Sequence, residues 1–273
     1  MLFLLCSLAQ ALDVPEDSLL NTADSRWRLE PTTEIGLVVP LQNDIQFGQD
    51  GTKIDYLTEG GQDNLFLFTR WTMDFRKDER HVLTFLYQPL NLVTTQEADR
   101  DFRFNEVNFP KGTPIDLRYG FDYYRGSYAY DVLSDPRQEL GFGVSMQLRN
   151  AIIDFTSANG EIRDTQRDIG LVPLLKMRGL FELENGSWVG FEMDGSYAPL
   201  KYLNGDVSDV VGALLDTSVR SGFHMKNGID PFVNIRYIGG GAEGTNNEPD
   251  PGEDGYVLNW VQFFSLNIGF TVR

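Results

Sequence analysis

Alternation of apolar and polar residues runs through most of the chain and is longest at the C-terminus. Over 256–273, Tyr256, Leu258, Trp260, Phe264, Leu266, Ile268, Phe270 and Val272 share one face, with Gln262 as its polar exception. The opposite face carries Asn259, Ser265, Asn267, Gly269 and Arg273 among its members. Period two over this length predicts a strand longer than those of ordinary soluble sheets. The same alternation predicts nine more strands, at 34–41, 64–76, 81–93, 115–132, 140–155, 169–183, 188–199, 211–225 and 232–239. Within 115–132 the apolar residues change parity near Tyr124-Arg125-Gly126, which predicts a β-bulge there.

The connections alternate between long and short. Short turns are predicted at Lys77-Asp78-Glu79-Arg80, Ser134-Asp135-Pro136-Arg137, Glu184-Asn185-Gly186 and Lys226-Asn227-Gly228, two of them with the Asn-Gly pair typical of tight hairpins. Long polar stretches fill 42–63, 94–113, 156–168, 202–209 and 240–255. Residues 45–47 and 53–57 flank Gly48-Gln49-Asp50-Gly51, so the first of these stretches predicts a hairpin of its own. Strict alternation of loop length with an even strand count is the pattern of a transmembrane barrel. A soluble sandwich has no reason to sort its loops this way.

Which face is wet separates two kinds of barrel. Carried along the strands, the less apolar face holds Arg70, Arg118, Arg149, Lys176, Arg178, Arg220 and Arg236. It also holds Glu34, Asp74, Asp116, Asp122, Glu182, Glu192, Asp194 and Asp216, so the signs nearly cancel. The other face is bulky almost throughout, as in Ile169, Leu171, Leu175, Met177, Phe181 and Leu183. Ten such faces would overfill a narrow lumen, because side chains of ordinary size already fill a barrel of about eight strands. The apolar faces are therefore expected to meet lipid, and the charged residues to form ion pairs inside. Pro40, Pro89 and Pro173 stand against this arrangement, since each forfeits a ladder bond in a sheet with no free edge.

On these residues the chain resembles a small bacterial outer-membrane β-barrel protein, from Glu34 onward. The closing stretch, with Phe264, Leu266, Ile268 and Phe270, is similar to the C-terminal assembly signal of that class, although it ends in Arg273 rather than an aromatic residue. The resemblance implies an all-β, antiparallel up-and-down transmembrane barrel of ten strands, with short periplasmic turns and long outer loops. It implies membrane lipids, lipopolysaccharide among them, and the outer-membrane assembly machinery as partners. It carries no activity with it.

Composition and charge narrow the picture. The net charge of −17 over 273 residues argues against nucleic acid as a partner. Mean hydropathy is −0.27 and no apolar run is long enough for a membrane-spanning helix. Residues 1–11 read as a secretory signal, with an apolar core at 2–8 and Ala9-Gln10-Ala11 as a cleavage site. Cleavage there removes Cys6, the chain's one cysteine, so disulfides are not expected to hold the mature protein. Residues 12–33 then form an irregular lead-in, and 34–273 a single barrel domain.

Candidate chemistry is sparse. Lipid A deacylases and the outer-membrane phospholipase use a Ser/His pair, and omptin proteases use Asp pairs with a His, all towards the outer side. Here His81 and His224 both adjoin short turns, at the opposite end. Ser218 and His224 on one strand would be about 20 Å apart by strand rise, too far for proton transfer. Glu192, Asp194, Asp216 and Arg220 read as structural ion-pair partners rather than acid/base groups. Glu243, Glu248, Asp250, Glu253 and Asp254 lack calcium-hand spacing and read as a solvated acidic loop. Tyr119, Phe121, Tyr123, Tyr128 and Tyr130 read as aromatic girdles at the two membrane surfaces. The sequence thus predicts a monomeric barrel without catalytic residues, cofactor or metal, acting in a structural or surface-interaction role. Its alternatives are a narrow channel or carrier for small solutes, a lipid-modifying enzyme, and a soluble secreted barrel.

Overall fold

Fourteen strand segments make up the computed structural model, which describes residues 27–105, 107–133, 135, 137–199, 209–246 and 254–273. The expected signal lies outside the described residues. The staves of the barrel are β1 (Trp27–Phe47), β3 (Phe66–Lys77), β4 (His81–Gln88) continued by β5 (Asn91–Glu97), β8 (Pro114–Asp131) and β9 (Gln138–Ser157). They continue with β10 (Arg163–Glu182), β11 (Ser187–Pro199), β12 (Val211–Phe223), β13 (Ile229–Thr245) and β14 (Tyr256–Val272). Each stave pairs antiparallel with the next, and β14 returns to β1 from Thr32↔Thr271 to Phe47↔Val257. The fold is a closed ten-stranded transmembrane β-barrel. Closure removes the outer sheet edges between β1 and β14, while the ladder between β10 and β11 ends at Leu175↔Gly195, below the ends of both strands.

Strand boundaries depart from the sequence expectation mainly at the ends. β1 starts at Trp27, so residues 27–33 of the expected lead-in are barrel. The stretch 156–168 is largely ladder, with Arg163 opposite Thr156. Two elements fold into the end that carries the long connections. One is the short β2 (Ile54–Asp55), paired with β1 through Ile45↔Ile54 as the predicted small hairpin. The other is the hairpin of β6 (Phe102–Phe104) and β7 (Val107–Phe109).

No bulge exists in β8. Its register to β4, β5 and β9 is unbroken from Ile115↔Ser157 to Asp131↔Gly141, and its odd residues point inward throughout. What changes is the chemistry of each face. Inward residues run from Ile115, Leu117, Tyr119, Phe121 and Tyr123 to Arg125, Ser127 and Asp131. Outward residues run from Asp116, Arg118 and Asp122 to Tyr124, Tyr128 and Tyr130. The barrel therefore has two zones. Near the short turns it is apolar outside and charged inside. Near the long connections it is dry inside, and the outer face of β8 turns polar. Phe68, Phe155, Val261, Phe263 and Ile45 join β8 in that dry core, and Tyr56, Phe104 and Phe109 of the long connections fill it from above. Tyr119, Phe121 and Tyr123 thus belong to the core rather than to a girdle, whereas Trp71, Tyr87 and Tyr124 stack on the outer face at 5.8 and 4.8 Å.

The three prolines sit where the ladder is already interrupted. Pro40 adjoins the register shift between Pro40 and Gln42, which turns Asn43, Ile45 and Phe47 inward. Pro89 occupies the break between β4 and β5. Pro173 lies on β10 beyond the last β10–β11 pair, Leu175↔Gly195. A missing N–H costs little at such places.

Candidate functional site

Alternation alone aims the charged side chains of the lower zone at one another, because every second residue of each stave faces the lumen. Asp216 of β12 is the hub. Its carboxylate lies 3.5 Å from Arg70 of β3, 2.9 Å from Arg125 of β8 and 3.3 Å from Arg236 of β13. Arg125 also reaches Asp194 at 2.9 Å, which Lys176 approaches at 3.1 Å and to which Ser145 donates a hydrogen bond. Glu192 takes Arg220 at 2.9 Å, Lys176 at 3.7 Å and Arg70 at 3.9 Å. Glu34 accepts from Asn234 at 2.6 Å and lies 3.8 Å from Arg70. Gln88 and Gln147 accept from Arg70 and Arg125 at 3.1 and 3.0 Å.

A second layer lies closer to the short turns. Arg178 bridges Asp74 at 2.9 Å and Glu139 at 2.5 Å, and Arg76 bridges Glu139 at 2.8 Å and Glu30 at 2.6 Å. At the mouth, His224 lies 2.8 Å from Asp230 and 3.1 Å from Glu182, and Arg273 pairs with Asp230 at 2.8 Å. The seven cations of the two inner layers face seven carboxylates, and all are largely withdrawn from solvent. A buried charge is tolerable only with such partners.

Of the residues expected in the lumen, Glu34, Arg70, Asp74, Lys176, Arg178, Glu192, Asp194, Asp216, Arg220 and Arg236 meet in these two layers. Glu182 lies at the mouth. Arg149 faces inward above the layers, beside Tyr119 and Tyr123 in the wall of a cavity. Asp116, Arg118 and Asp122 are corrections: they stand on the outer face of β8, where Thr95 donates to Asp116 at 2.7 Å and Arg118 donates to Asn91 at 2.7 Å. They were misassigned because the inferred bulge reversed the parity of the first half of β8. The same inference hid Arg125. Glu30 and Glu139 lie outside the expected strands 34–41 and 140–155, and Arg76 is the last residue of 64–76, beside the charged turn.

The histidines occupy the short-turn end. His81 shares a 2.8 Å hydrogen bond with Tyr128, and His224 a 2.8 Å one with Asp230. Above, a cavity of about 620 Å³ lies between the ion layers and the dry core.

Neither a protein-family profile nor a curated protein sequence matches this chain. Solved structures do. The outer-membrane protease OmpT from Escherichia coli matches with a TM-score of 0.50 at 11% identity, over 97% of this chain and 99% of that one. A Pseudomonas aeruginosa FadL homologue matches with a TM-score of 0.37 at 8% identity, over 97% and 96%. The β domain of the Bordetella autotransporter BrkA gives 0.31 at 10% identity, over 89% and 98%. These likenesses concern the fold: the chain is similar to outer-membrane β-barrels of varied function.

Proposed function

We propose that the protein is an outer-membrane barrel that does not conduct and that acts through its long-connection end, in a structural or surface-interaction role. The observation that carries this reading is the double closure of the lumen. Solutes entering from the short turns meet two layers of ion pairs spanning between opposite staves, such as Arg125 to Asp216. Those entering from the other end meet the aromatic core capped by Tyr56, Phe104 and Phe109. Opening either closure would strand buried charge or expose apolar surface.

On this reading the long connections face outward from the cell and the short turns face the periplasm. The polar outer face of the upper zone, with Asp116, Arg118 and Asp122, then rises above the lipid as the surface available to partners. Planar-bilayer recording of the purified protein tests the proposal. No conductance steps are expected from the native protein. Regular steps at neutral pH would replace this reading with that of a narrow channel.

A further inference from the structure

One seam of the barrel is not zipped to its top. Among the described residues, the ladder between β10 and β11 ends at Leu175↔Gly195, yet β10 continues upward to Arg163 on its β9 side and β11 to Pro199 on its β12 side. Backbone N–H and C=O groups at the apolar girth of a barrel normally have sheet partners, and non-ladder backbone is tolerated there where it lines a cavity. A cavity is present. The 620 Å³ space above the ion layers reaches this seam, and its volume lies within the roughly 300–1,000 Å³ of small-molecule sites.

Small inward residues create the space. Gly170, Ser196 and Gly212 face it from β10, β11 and β12, and a Cβ placed on Gly170 would meet no atom within 4 Å. Tyr119, Tyr123 and Leu214 make much of the remaining wall. The same cavity is bordered by Met146, Ile169 and Leu171, which belong to the outer face of the barrel. The space therefore opens sideways. Its mouth lies in the apolar belt, for Ile169, Leu171 and Leu175 are 71%, 65% and 74% exposed.

From this geometry we infer that the cavity admits one acyl chain of a bilayer lipid, entering between β10 and β11. The chain's methylenes replace contacts with neighbouring lipids by contacts with Tyr119, Tyr123 and Leu214. The lipid's ester carbonyls accept hydrogen bonds from the unzipped edge. Pro173 has already removed one donor from that edge. Arg149, opposite Gly170 on β9, is the charged member of the cavity wall. Water is a poorer occupant of a space walled chiefly by apolar atoms.

Photolabelling in vesicles tests the inference. The native protein is reconstituted in phosphatidylethanolamine and phosphatidylglycerol carrying a trace of phosphatidylethanolamine with a diazirine late in one acyl chain. Adducts are mapped by peptide mass spectrometry. Adducts on the inward residues Tyr123, Val172 or Leu214 are expected, alongside those on Ile169 and Leu171. Gly170→Phe fills the cavity from a position with free space, and should lose the inward adducts while keeping the outward ones. Ser196→Leu, which narrows it from the other edge, should do the same and serves if Gly170→Phe fails to fold. Adducts confined to outward residues in the native protein would overturn the inference, as would inward adducts that persist in folded variants. A diazirine hexadecanoic acid added to the detergent-solubilised protein without phospholipid should label the inward residues less than the phospholipid probe does, because it brings no ester carbonyls to the unzipped edge. Equal inward labelling by the free acid would reject a bilayer lipid as the source.

Discussion

Asp216 on β12 receives Arg125 from β8 at 2.9 Å, across the lumen rather than along the sheet. The two staves are separated by β9, β10 and β11 in the circular order, so the pair fixes the cross-section of the barrel and not a local register. Asp216 also accepts Arg70 and Arg236, which makes its carboxylate the shared counter-charge of three arginines. Asp216→Ala should lower stability by about 3–5 kcal/mol, because it strands buried cations. Urea unfolding in detergent micelles measures this. Combined with Arg125→Met, the two losses should fall short of additivity by about 0.5–3 kcal/mol. Strict additivity would show that the pair contributes nothing as a pair.

The β6–β7 hairpin acts as a stopper whose removal should spare the wall. The Phe104 ring packs tilted against Phe155 at 4.4 Å, and Phe109 is fully buried. Phe104→Ala should cost about 3–5 kcal/mol locally. Limited proteolysis should then cut within 98–113 while heat-modifiable gel mobility of the barrel is retained. Protection equal to that of the native protein would contradict the stopper role.

Closure of the barrel depends on a close approach at Gly36. A Cβ there would lie 2.1 Å from the Leu266 carbonyl oxygen and 2.6 Å from the Asn267 Cα, both backbone atoms of β14. Gly36→Val should therefore disrupt the β1–β14 ladder and remove the compact, heat-modifiable species on gels. Retention of that species at native levels would mean that β14 can shift to accommodate a side chain.

The ten staves were legible in the sequence because lipid and lumen impose opposite demands on alternate residues. The two-zone character was not. In β8 the exchange of polarity between faces looks, in sequence, the same as a one-residue register slip, and only the unbroken pairing from Ile115 to Asp131 separates the two. The true irregularity, at Pro40/Gln42 in β1, is hidden in the run Val38-Val39-Pro40-Leu41, where both faces are apolar. The inward charges of the two layers that alternation did find, Glu34 and Asp216 among them, lie within the expected strands. The pairing of Arg125 with Asp216 was beyond reach, since distance across a lumen leaves no trace in spacing along a chain.

Along the outer surface of β8 a wet face gives way to an apolar one, and cysteine accessibility tests that exchange most directly. In reconstituted vesicles, Arg118→Cys and Asp122→Cys should react rapidly with a membrane-impermeant maleimide, because their positions stand above the lipid on the outer face of β8. Leu83→Cys and Ile268→Cys, at outer-face positions in the apolar belt, should stay unlabelled until detergent is added. Protection of Arg118→Cys and Asp122→Cys by the bilayer, or labelling of all four alike, would contradict the two-zone barrel.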